Sequence, residues 1–379
     1  MKKKYIYQIL ILKNYLERIA GPHYPTELVK KIIVADYHNL IIKYGESFAI
    51  SISDDIYILN YNMEDEADTE KVKKFIKSND IIAGDSGGYG CHVITKFGTC
   101  YTWGLNDEGQ LGLGHTDDCF CPEKLPLLNV KSINTGDYHA FALTKTNTCY
   151  VWGYNFHGQL GLGDNVNRNR PTKFTFFSDN KIVSVACGLL FTIALVEINS
   201  EMKCFAWGDN TFGQLCLENI VKKNIPQEIK IPDKIMTITC GHSHSIILIT
   251  NHELYGWGRN ICGQLGLGDF NDRNSPTKLK LNDIISVSCR EHSTLALVKS
   301  GGLYSWGDNT YGQLGLGGII NISNPTKINL SEKIISVKCD YGQVVAITNQ
   351  NNIYLWGCFA YDSEEMKDID FTTPRKLDF

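Results

Sequence analysis

The sequence predicts an all-β protein, a seven-bladed β-propeller of four-stranded antiparallel blades preceded by a short α-helical segment. The first observation is a repeated stretch, clearest as LYSWGDNTYGQLGLG at residues 303–317. The second is its period of about 50 residues, which suits one blade. The third is that each repeat contains β-rich runs separated by glycine or polar breaks.

The tryptophans mark the repeat most clearly. All six end a β-rich run and are followed by glycine. The pairs are Trp103-Gly104, Trp152-Gly153, Trp207-Gly208, Trp257-Gly258, Trp306-Gly307 and Trp356-Gly357. A buried tryptophan needs a partner for its N–H, and glycine permits a tight turn or a close approach. We therefore assign these twelve residues a structural role in the repeat.

The chain divides at about residue 38. Residues 1–38 show helical periodicity over 5–20, a Gly-Pro break at 21–22 and a second helical start near Pro25. Residues 39–379 form the predicted propeller, with unit starts at Ile41, Ile81, Val130, Ile182, Ile235, Ile284 and Ile334. The first unit is degenerate, since Leu59 stands in the tryptophan place and no Gly-Gln-Leu loop follows.

A proline near the end of six units predicts where the outermost strands lie. These residues are Pro122, Pro171, Pro226, Pro276, Pro325 and Pro374. Proline cannot donate to a strand ladder, so it is tolerated on an edge strand. An apolar stretch after each proline completes the four-stranded unit.

Composition excludes several classes of protein. The net charge of −4 and the pI near 6.2 indicate no whole-chain nucleic-acid surface. Cys187, Cys240, Cys289 and Cys339 recur at the repeat spacing, which favours reduced core thiols over disulfides. No apolar run is long enough to span a bilayer and no cleavage site follows the N-terminal apolar stretch. We expect an intracellular protein, cytoplasmic or nuclear, with no membrane partner.

No cofactor, metal or catalytic constellation is expected. The GQLGLG loops lack the lysine and the following helix of a phosphate-binding loop. His242 and His244 could face one metal from a single strand, but no third ligand is identifiable. No serine or cysteine has a recognisable base. The sequence therefore predicts a non-enzymatic protein.

The Trp-Gly-x-Asn segment followed by Gly-Gln-Leu-Gly resembles the repeat of the regulator of chromosome condensation family. The resemblance covers about nine-tenths of the chain and implies a seven-bladed propeller. The founding role of the family is guanine-nucleotide exchange on a small nuclear GTPase, with a catalytic acid in a Gly-Asp-x-His segment. Gly136-Asp137-Tyr138-His139 matches that segment. The hairpin wedge expected after it is missing, because Gly153 leads directly into the next Gly-Gln-Leu loop at Gly158.

Two other roles known in the family were weighed. The plant UV-B photoreceptor depends on tryptophans outside the Trp-Gly places, and this chain has none. Other members stand beside a ubiquitin-ligase domain. Residues 24–37 resemble an F-box helix, which would recruit a cullin-ligase adaptor, or they form a simple cap.

The residues and the resemblance together predict a monomeric protein-interaction scaffold that binds an unidentified protein partner. One alternative is a guanine-nucleotide exchange factor for a small GTPase, with Asp137 and His139 as the candidate residues. A second alternative is the substrate-recognition subunit of a cullin-type ubiquitin ligase, acting through residues 24–37.

Overall fold

The computed structural model describes residues 81–88, 90–340, 342–350, 352–357 and 371–376, which form six four-stranded antiparallel sheets. Blade one contains β1 (Ile81–Gly87), β2 (Gly90–Thr95), β3 (Cys100–Gly104) and β4 (Cys119–Lys124). Blade two contains β5 (Val130–Thr135), β6 (His139–Thr144), β7 (Cys149–Gly153) and β8 (Arg168–Phe174). Blade three contains β9 (Lys181–Cys187), β10 (Phe191–Ile198), β11 (Glu201–Gly208) and β12 (Lys223–Ile229). Blade four contains β13 (Ile235–Cys240), β14 (His244–Ile249), β15 (Leu254–Gly258) and β16 (Arg273–Lys278). Blade five contains β17 (Ile284–Arg290), β18 (Ser293–Val298), β19 (Leu303–Gly307) and β20 (Ile322–Lys327). Blade six contains β21 (Ile334–Asp340), β22 (Gln343–Thr348), β23 (Ile353–Gly357) and β24 (Arg375–Lys376).

The predicted blade count is wrong. The described residues form six blades rather than seven, and no helix occurs among them. The degenerate unit at 40–80 and the helical segment at 1–38 lie outside the described residues. The division of the chain near residue 38 stays a prediction. The prediction of four antiparallel strands in each blade is confirmed.

Strands follow one another across each sheet in chain order, so the first strand of a blade is innermost and the fourth is outermost. Consecutive blades contact each other through their first and second strands. We call the side with the turns between first and second strands and the long loops between third and fourth strands the loop face. The opposite side, with the hairpins between second and third strands, is the hairpin face.

The outermost strands interrupt their pairing at the proline. In blade two, Val151 pairs with Thr172 and Gly153 pairs with Arg168, so Pro171 falls in the unpaired step between them. Blade five repeats this step around Pro325. Five of the six predicted prolines lie on an outer strand, where the missing N–H removes no ladder bond, whereas Pro374 directly precedes β24.

The hydrophobic core lies between consecutive blades rather than inside any one of them. Each described cluster combines side chains of two neighbouring sheets. Between blades four and five, for example, Ile246 and Leu248 of β14 pack with Ala296 and Trp306 of the next sheet. A blade is therefore covered on both faces only when a neighbour stands on each side, as in other repeat architectures.

The tryptophans join each blade to the one before it. Five indole Nε1–H groups donate to the backbone carbonyl of the glutamine in the preceding Gly-Gln-Leu loop, at 2.8–2.9 Å. The donor and acceptor pairs are Trp152 with Gln110, Trp207 with Gln159, Trp257 with Gln214, Trp306 with Gln264 and Trp356 with Gln313. Each indole therefore receives the partner that its burial requires.

A buried asparagine closes the long loop in each of blades one to five. In blade four the side-chain amide of Asn260 donates to the carbonyl of Asp269 at 2.9 Å, and its oxygen accepts from the N–H of Leu265 at 2.9 Å. The Asn260 N–H in turn donates to the Asp272 carboxylate. The same bonds recur around Asn155 and Asn309, so the loops share one rigid frame.

The described cysteines are free thiols. Burial raises the pKa of Cys149 and of Cys216 to about 12, so both remain protonated at neutral pH. The four recurrent cysteines named above all lie in innermost strands, and their reduced state in the cell stays a prediction. No helix long and apolar enough to cross a membrane occurs among the described residues.

Candidate functional site

The turns at the centre of the loop face are linked through their backbones. Leu189 N–H of blade three donates to the carbonyl of His242 in blade four at 3.0 Å. His242 N–H donates to the carbonyl of Glu291 in blade five at 2.9 Å. The corresponding turn residue of blade two is Asp137. These second turn residues therefore lie together around the axis of the propeller.

Asp137, His242 and Arg290 form what we call the axial ion cluster. His242 Nε2 lies 3.0 Å from one Asp137 oxygen, and Arg290 Nη2 lies 3.6 Å from the other. The second oxygen also accepts from Gly88 N–H of blade one at 3.3 Å. The Asp137 side chain is only 5% exposed, and those of His242 and Arg290 are 18% and 17% exposed. The cluster thus connects blade two with blades four and five across the axis.

Glu291 and His292 border the cluster. Glu291 has a φ of 44°, an unfavourable backbone conformation for a residue other than glycine. Burial raises its pKa, although His242 and Arg290 oppose that shift. Burial lowers the pKa of His292 to about 4, and its ring packs edge-on against that of His242 at 5.3 Å. The centre of the loop face is therefore polar, closely packed and only partly accessible.

His139 and His244 have a different role from the axial ion cluster. His139 Nε2 contacts Thr192 Oγ1 of the next blade at 2.9 Å, and His244 Nε2 contacts Thr294 Oγ1 at 3.2 Å. Each threonine hydroxyl donates to the same glutamine carbonyl that accepts the indole of that blade. Since the hydroxyl proton is used there, the imidazole Nε2 must donate to the threonine. Both histidines are therefore neutral links between neighbouring blades.

Acid should weaken these links. Burial lowers the pKa of His139 to about 4 and that of His244 to about 3, against an ordinary 6.5. As pH falls below 6.5, the unfolded chain binds protons that the folded chain refuses, so folding stability decreases down to those values. We expect the urea midpoint to fall steadily from pH 6.5 to pH 4. His244→Asn should reduce that pH dependence by about one proton, or about 1.4 kcal/mol per pH unit. An unchanged slope in the variant would contradict this assignment.

The structure separates some residues that the sequence places together. His242 faces Asp137 whereas His244 faces Thr294, so this pair does not converge on one site. No group of three or more metal-ligating side chains occurs in the described ranges. Likewise, Asp137 belongs to the axial ion cluster and His139 to the link with blade three. Their role in nucleotide exchange stays a prediction.

Sequence reasoning missed the partners of Asp137. His242 occupies the turn position of blade four that Asp137 occupies in blade two, so an alignment of the turns shows their equivalence. Arg290 replaces the glycine found at the equivalent position in blades two to four, namely Gly136, Gly188 and Gly241. An arginine at a turn position where other blades have glycine was therefore the feature of the sequence that could have indicated this cluster.

The long loop of blade two carries no inserted hairpin. β7 ends at Gly153 and β8 begins at Arg168, and Asn155 makes the loop-closing bonds found in the other blades. Its backbone N–H donates to Asn167 Oδ1 at 2.8 Å. The loop between β7 and β8 therefore follows the frame of the other long loops, and the wedge that the sequence lacks has no counterpart in it.

Around the polar centre, the long loops of blades two to five each expose two large apolar side chains. They are Phe156 and Val166, Ile220 and Val221, Ile261 and Phe270, and Ile319 and Ile320. We call these eight residues the loop-face apolar arc. Exposed fractions run from 51% at Phe270 to 77% at Ile320. A group of exposed apolar side chains on rigid loops is typical of a protein-binding surface.

Neighbouring cations fix part of this arc. Lys222 Nζ lies 4.6 Å from the centroid of the Phe156 ring and donates to the Phe156 carbonyl at 2.9 Å. This contact joins the loops of blades two and three. Phe212 is covered in the same way by the Arg259 guanidinium at 4.4 Å. Side chains held in this way lose less conformational entropy on binding.

Five matches to one sequence repeat, each about as long as one blade, identify the family of this chain. The regulator of chromosome condensation (RCC1) repeat matches residues 98–143, 147–195, 203–248, 251–297 and 300–347, which is more than half of the chain. The chain belongs to the RCC1 repeat family. A second description of the RCC1 repeat matches four shorter stretches between residues 130 and 313. The family resemblance noted in the sequence is confirmed.

Relatives with described roles match only part of the chain. The ultraviolet-B receptor UVR8 of Arabidopsis thaliana is 34% identical over a match of 234 residues. This match covers 48% of this chain and 52% of that protein. The secretion-regulating guanine nucleotide exchange factor of Mus musculus is 30% identical over 160 residues, 41% of this chain and 34% of that protein. This chain thus matches about half, or less, of the length of these relatives.

The fold extends further than the sequence identity. The crystal structure of Prp20p from Saccharomyces cerevisiae, described with its binding properties to Gsp1p and histones, superimposes with a TM-score of 0.71. The superposition covers 94% of this chain and 90% of the Prp20p chain, and the two sequences are 22% identical. At that identity the similarity shows that this chain is an RCC1-like propeller, and it shows nothing further about partners.

Proposed function

We propose that this RCC1-repeat propeller is a non-enzymatic protein-binding platform whose binding surface is the loop face. The observation that carries the proposal is the loop-face apolar arc, eight exposed apolar side chains on four consecutive loops. Because buried asparagines close these loops in the same way, the side chains are presented on a rigid frame. Apolar and aromatic side chains in such a setting supply most of the energy of a protein interface.

The partner surface should be apolar with a basic edge. Blade one lacks the exposed apolar pair of the other loops and carries Asp107, Glu108, Asp117 and Asp118 instead. Burial and the nearby Asp107 both raise the pKa of Glu108, which indicates that its negative charge is poorly compensated. A basic partner side chain would relieve this repulsion. A monomeric protein acting in the cytoplasm or the nucleus is the setting that we propose.

Substitutions in the arc should abolish binding without unfolding the protein. We expect Phe270→Asp and Ile320→Asp each to weaken partner binding at least tenfold, about 1.4 kcal/mol or more. The partner would be captured from lysate of the cells that make this protein, identified by mass spectrometry, purified and titrated. Phe97→Asp is the matched control, because Phe97 is 72% exposed but lies on the hairpin face. Equal binding by all three variants would refute the proposed surface.

Nucleotide exchange remains the alternative, favoured by the position of Asp137 on the loop face. The axial ion cluster weighs against it, since the Asp137 carboxylate is nearly inaccessible and already contacts His242 and Arg290. A ubiquitin-ligase adaptor role rests on residues 24–37, which lie outside the described residues. Deleting residues 1–38 and testing adaptor binding separates that role from binding by the loop face.

A further inference from the structure

A β-bulge occurs near the beginning of every innermost strand that the structure describes. In blade five, Ile284 pairs with Val298 and Ser286 pairs with Leu297, so Ile285 is the extra residue. The equivalent extra residues are Ile82, Lys131, Val183, Met236 and Ile335. Bulges bend a strand and redirect a side chain, and they are common beside functional sites.

The bulge residues are unusually exposed for apolar side chains at the inner edge of a sheet. The five apolar residues of this set are 43–50% exposed, and Lys131 is exposed as well. In blades three to five, neighbouring blades cover both faces of each sheet. The exposed parts of Val183, Met236 and Ile285 must therefore face the propeller axis and its opening on the hairpin face. We call the six bulge residues the bulge collar.

A small polar residue follows the collar residue on the innermost strand in blades two to six. The residue after each bulge is Ser132, Ser184, Thr237, Ser286 or Ser336 in blades two to six. None of these five side chains is fully buried. An entering segment would thus meet large apolar groups first and hydroxyl groups behind them. Hydroxyls can donate to or accept from a peptide backbone.

The charge around the collar is positive, although the whole chain carries −4. Five exposed lysines at this end, Lys131, Lys145, Lys234, Lys299 and Lys333, have no ion-pair partner among the described residues. The exposed acids without a cationic partner there are Asp179, Glu201, Asp233 and Asp283. Glu197 and Glu332 are already paired with Lys181 and Lys376. Among the described residues, exposed lysines without an ion-pair partner therefore outnumber such acids around the apolar opening.

We propose that the bulge collar is a second binding site, which receives a peptide segment of a partner protein carrying a large apolar side chain flanked by carboxylates. The apolar side chain contacts Met236, Ile285 and their equivalents. The carboxylates approach Lys131 and the neighbouring lysines, and the serines behind the collar bond the peptide backbone. Complementary charge favours an acidic segment over a basic one. This site is on the opposite side from the loop face and does not depend on the function proposed for that face.

The test uses three fluorescein-labelled synthetic octapeptides measured by fluorescence anisotropy with the full-length protein. The first has a central Leu-Phe pair flanked by Asp and Glu. The second replaces the acids with lysine, and the third replaces Leu-Phe with Ser-Ser. We expect the first peptide to bind and the other two to bind at least tenfold more weakly. Binding should weaken with added salt, because exposed charges are screened.

Substitutions then locate the site. Met236→Ser and Ile285→Ser should each weaken binding of the first peptide at least fivefold, and Lys131→Glu should weaken it and reduce its salt dependence. Unchanged melting temperatures would show that all three variants fold. Phe97→Asp, at the outer hairpin, and Ile320→Asp, on the loop face, should bind the peptide like the wild type. The proposal is overturned if the wild type binds none of the peptides, binds the lysine peptide as tightly, or keeps its affinity in both serine variants.

Discussion

Replacing Trp306 with alanine is expected to destabilise the protein by about 4 kcal/mol, the range for a large aromatic side chain removed from a packed core. Trp306 is fully buried and packs between blades four and five. Its indole donates to the Gln264 carbonyl at 2.9 Å, so the substitution also removes a bond between blades. Urea unfolding followed by far-ultraviolet circular dichroism measures the loss.

Trp306→Phe separates packing from hydrogen bonding. Phenylalanine keeps most of the apolar contact but cannot donate, and Thr294 still donates to the Gln264 carbonyl at 2.9 Å. Since the acceptor stays satisfied, we expect a smaller loss of about 1–2 kcal/mol. Phe156→Ala is the control, because this exposed ring should contribute less than about 0.5 kcal/mol. A loss below 1 kcal/mol in Trp306→Ala would show that the indole does not join the blades.

The repeat could be predicted because each blade shows its own pattern in the sequence. A tryptophan before a glycine, a Gly-Gln-Leu loop and a proline in the fourth strand are local features, and the structure places them where they were expected, except that Pro374 directly precedes its strand. The acceptor of the indole could not be predicted. Its position is in the preceding blade, 42 to 48 residues earlier in the chain, and only the packing of one sheet on the next determines which carbonyl faces the ring.

The blade count failed where the local pattern was incomplete. A unit at 40–80 was predicted from a β-rich start at Ile41 and from the spacing alone. That stretch has Leu59 where the other units have tryptophan, and it has no Gly-Gln-Leu loop. Its sequence therefore lacks both the Trp-Gly pair and the Gly-Gln-Leu loop, the two groups of residues that accompany the bonds between the described blades. Spacing without these two groups was insufficient evidence for another blade.

The site was partly predictable. Asp137 could be selected because its turn resembles a family motif, but the residues that surround it come from turns about 100 and 150 residues later in the chain. No local pattern connects such distant turns. The bulge collar was also hidden, because an extra residue at the start of a strand looks like any other apolar residue in a β-rich run. Only the pairing register distinguishes Ile285 from its neighbours.

Replacing Asp137 with alanine is expected to destabilise the protein by about 2–3 kcal/mol. Removing one member of a buried ion pair costs about 3–5 kcal/mol when the remaining charge is fully buried. Arg290 and His242 are partly exposed, so we expect a value at the lower end of that range or below it. Urea unfolding of Asp137→Ala, His242→Ala and the double variant gives the coupling between the two residues, which should be about 1–2 kcal/mol.

A further variant, Asp137→Asn, decides between the two roles of Asp137. If the carboxylate serves only to connect blades, Asp137→Asn should lose stability and still bind the partner of the loop face. If it serves nucleotide exchange, the wild type must accelerate release of a fluorescent guanine nucleotide from a captured GTPase, and Asp137→Asn must abolish that effect. We expect no acceleration, because a carboxylate that is 5% exposed and held by His242 and Arg290 must break both contacts before it can reach another protein. Release that depends on Asp137 would show that the cluster opens on binding, and would replace the platform by an exchange factor.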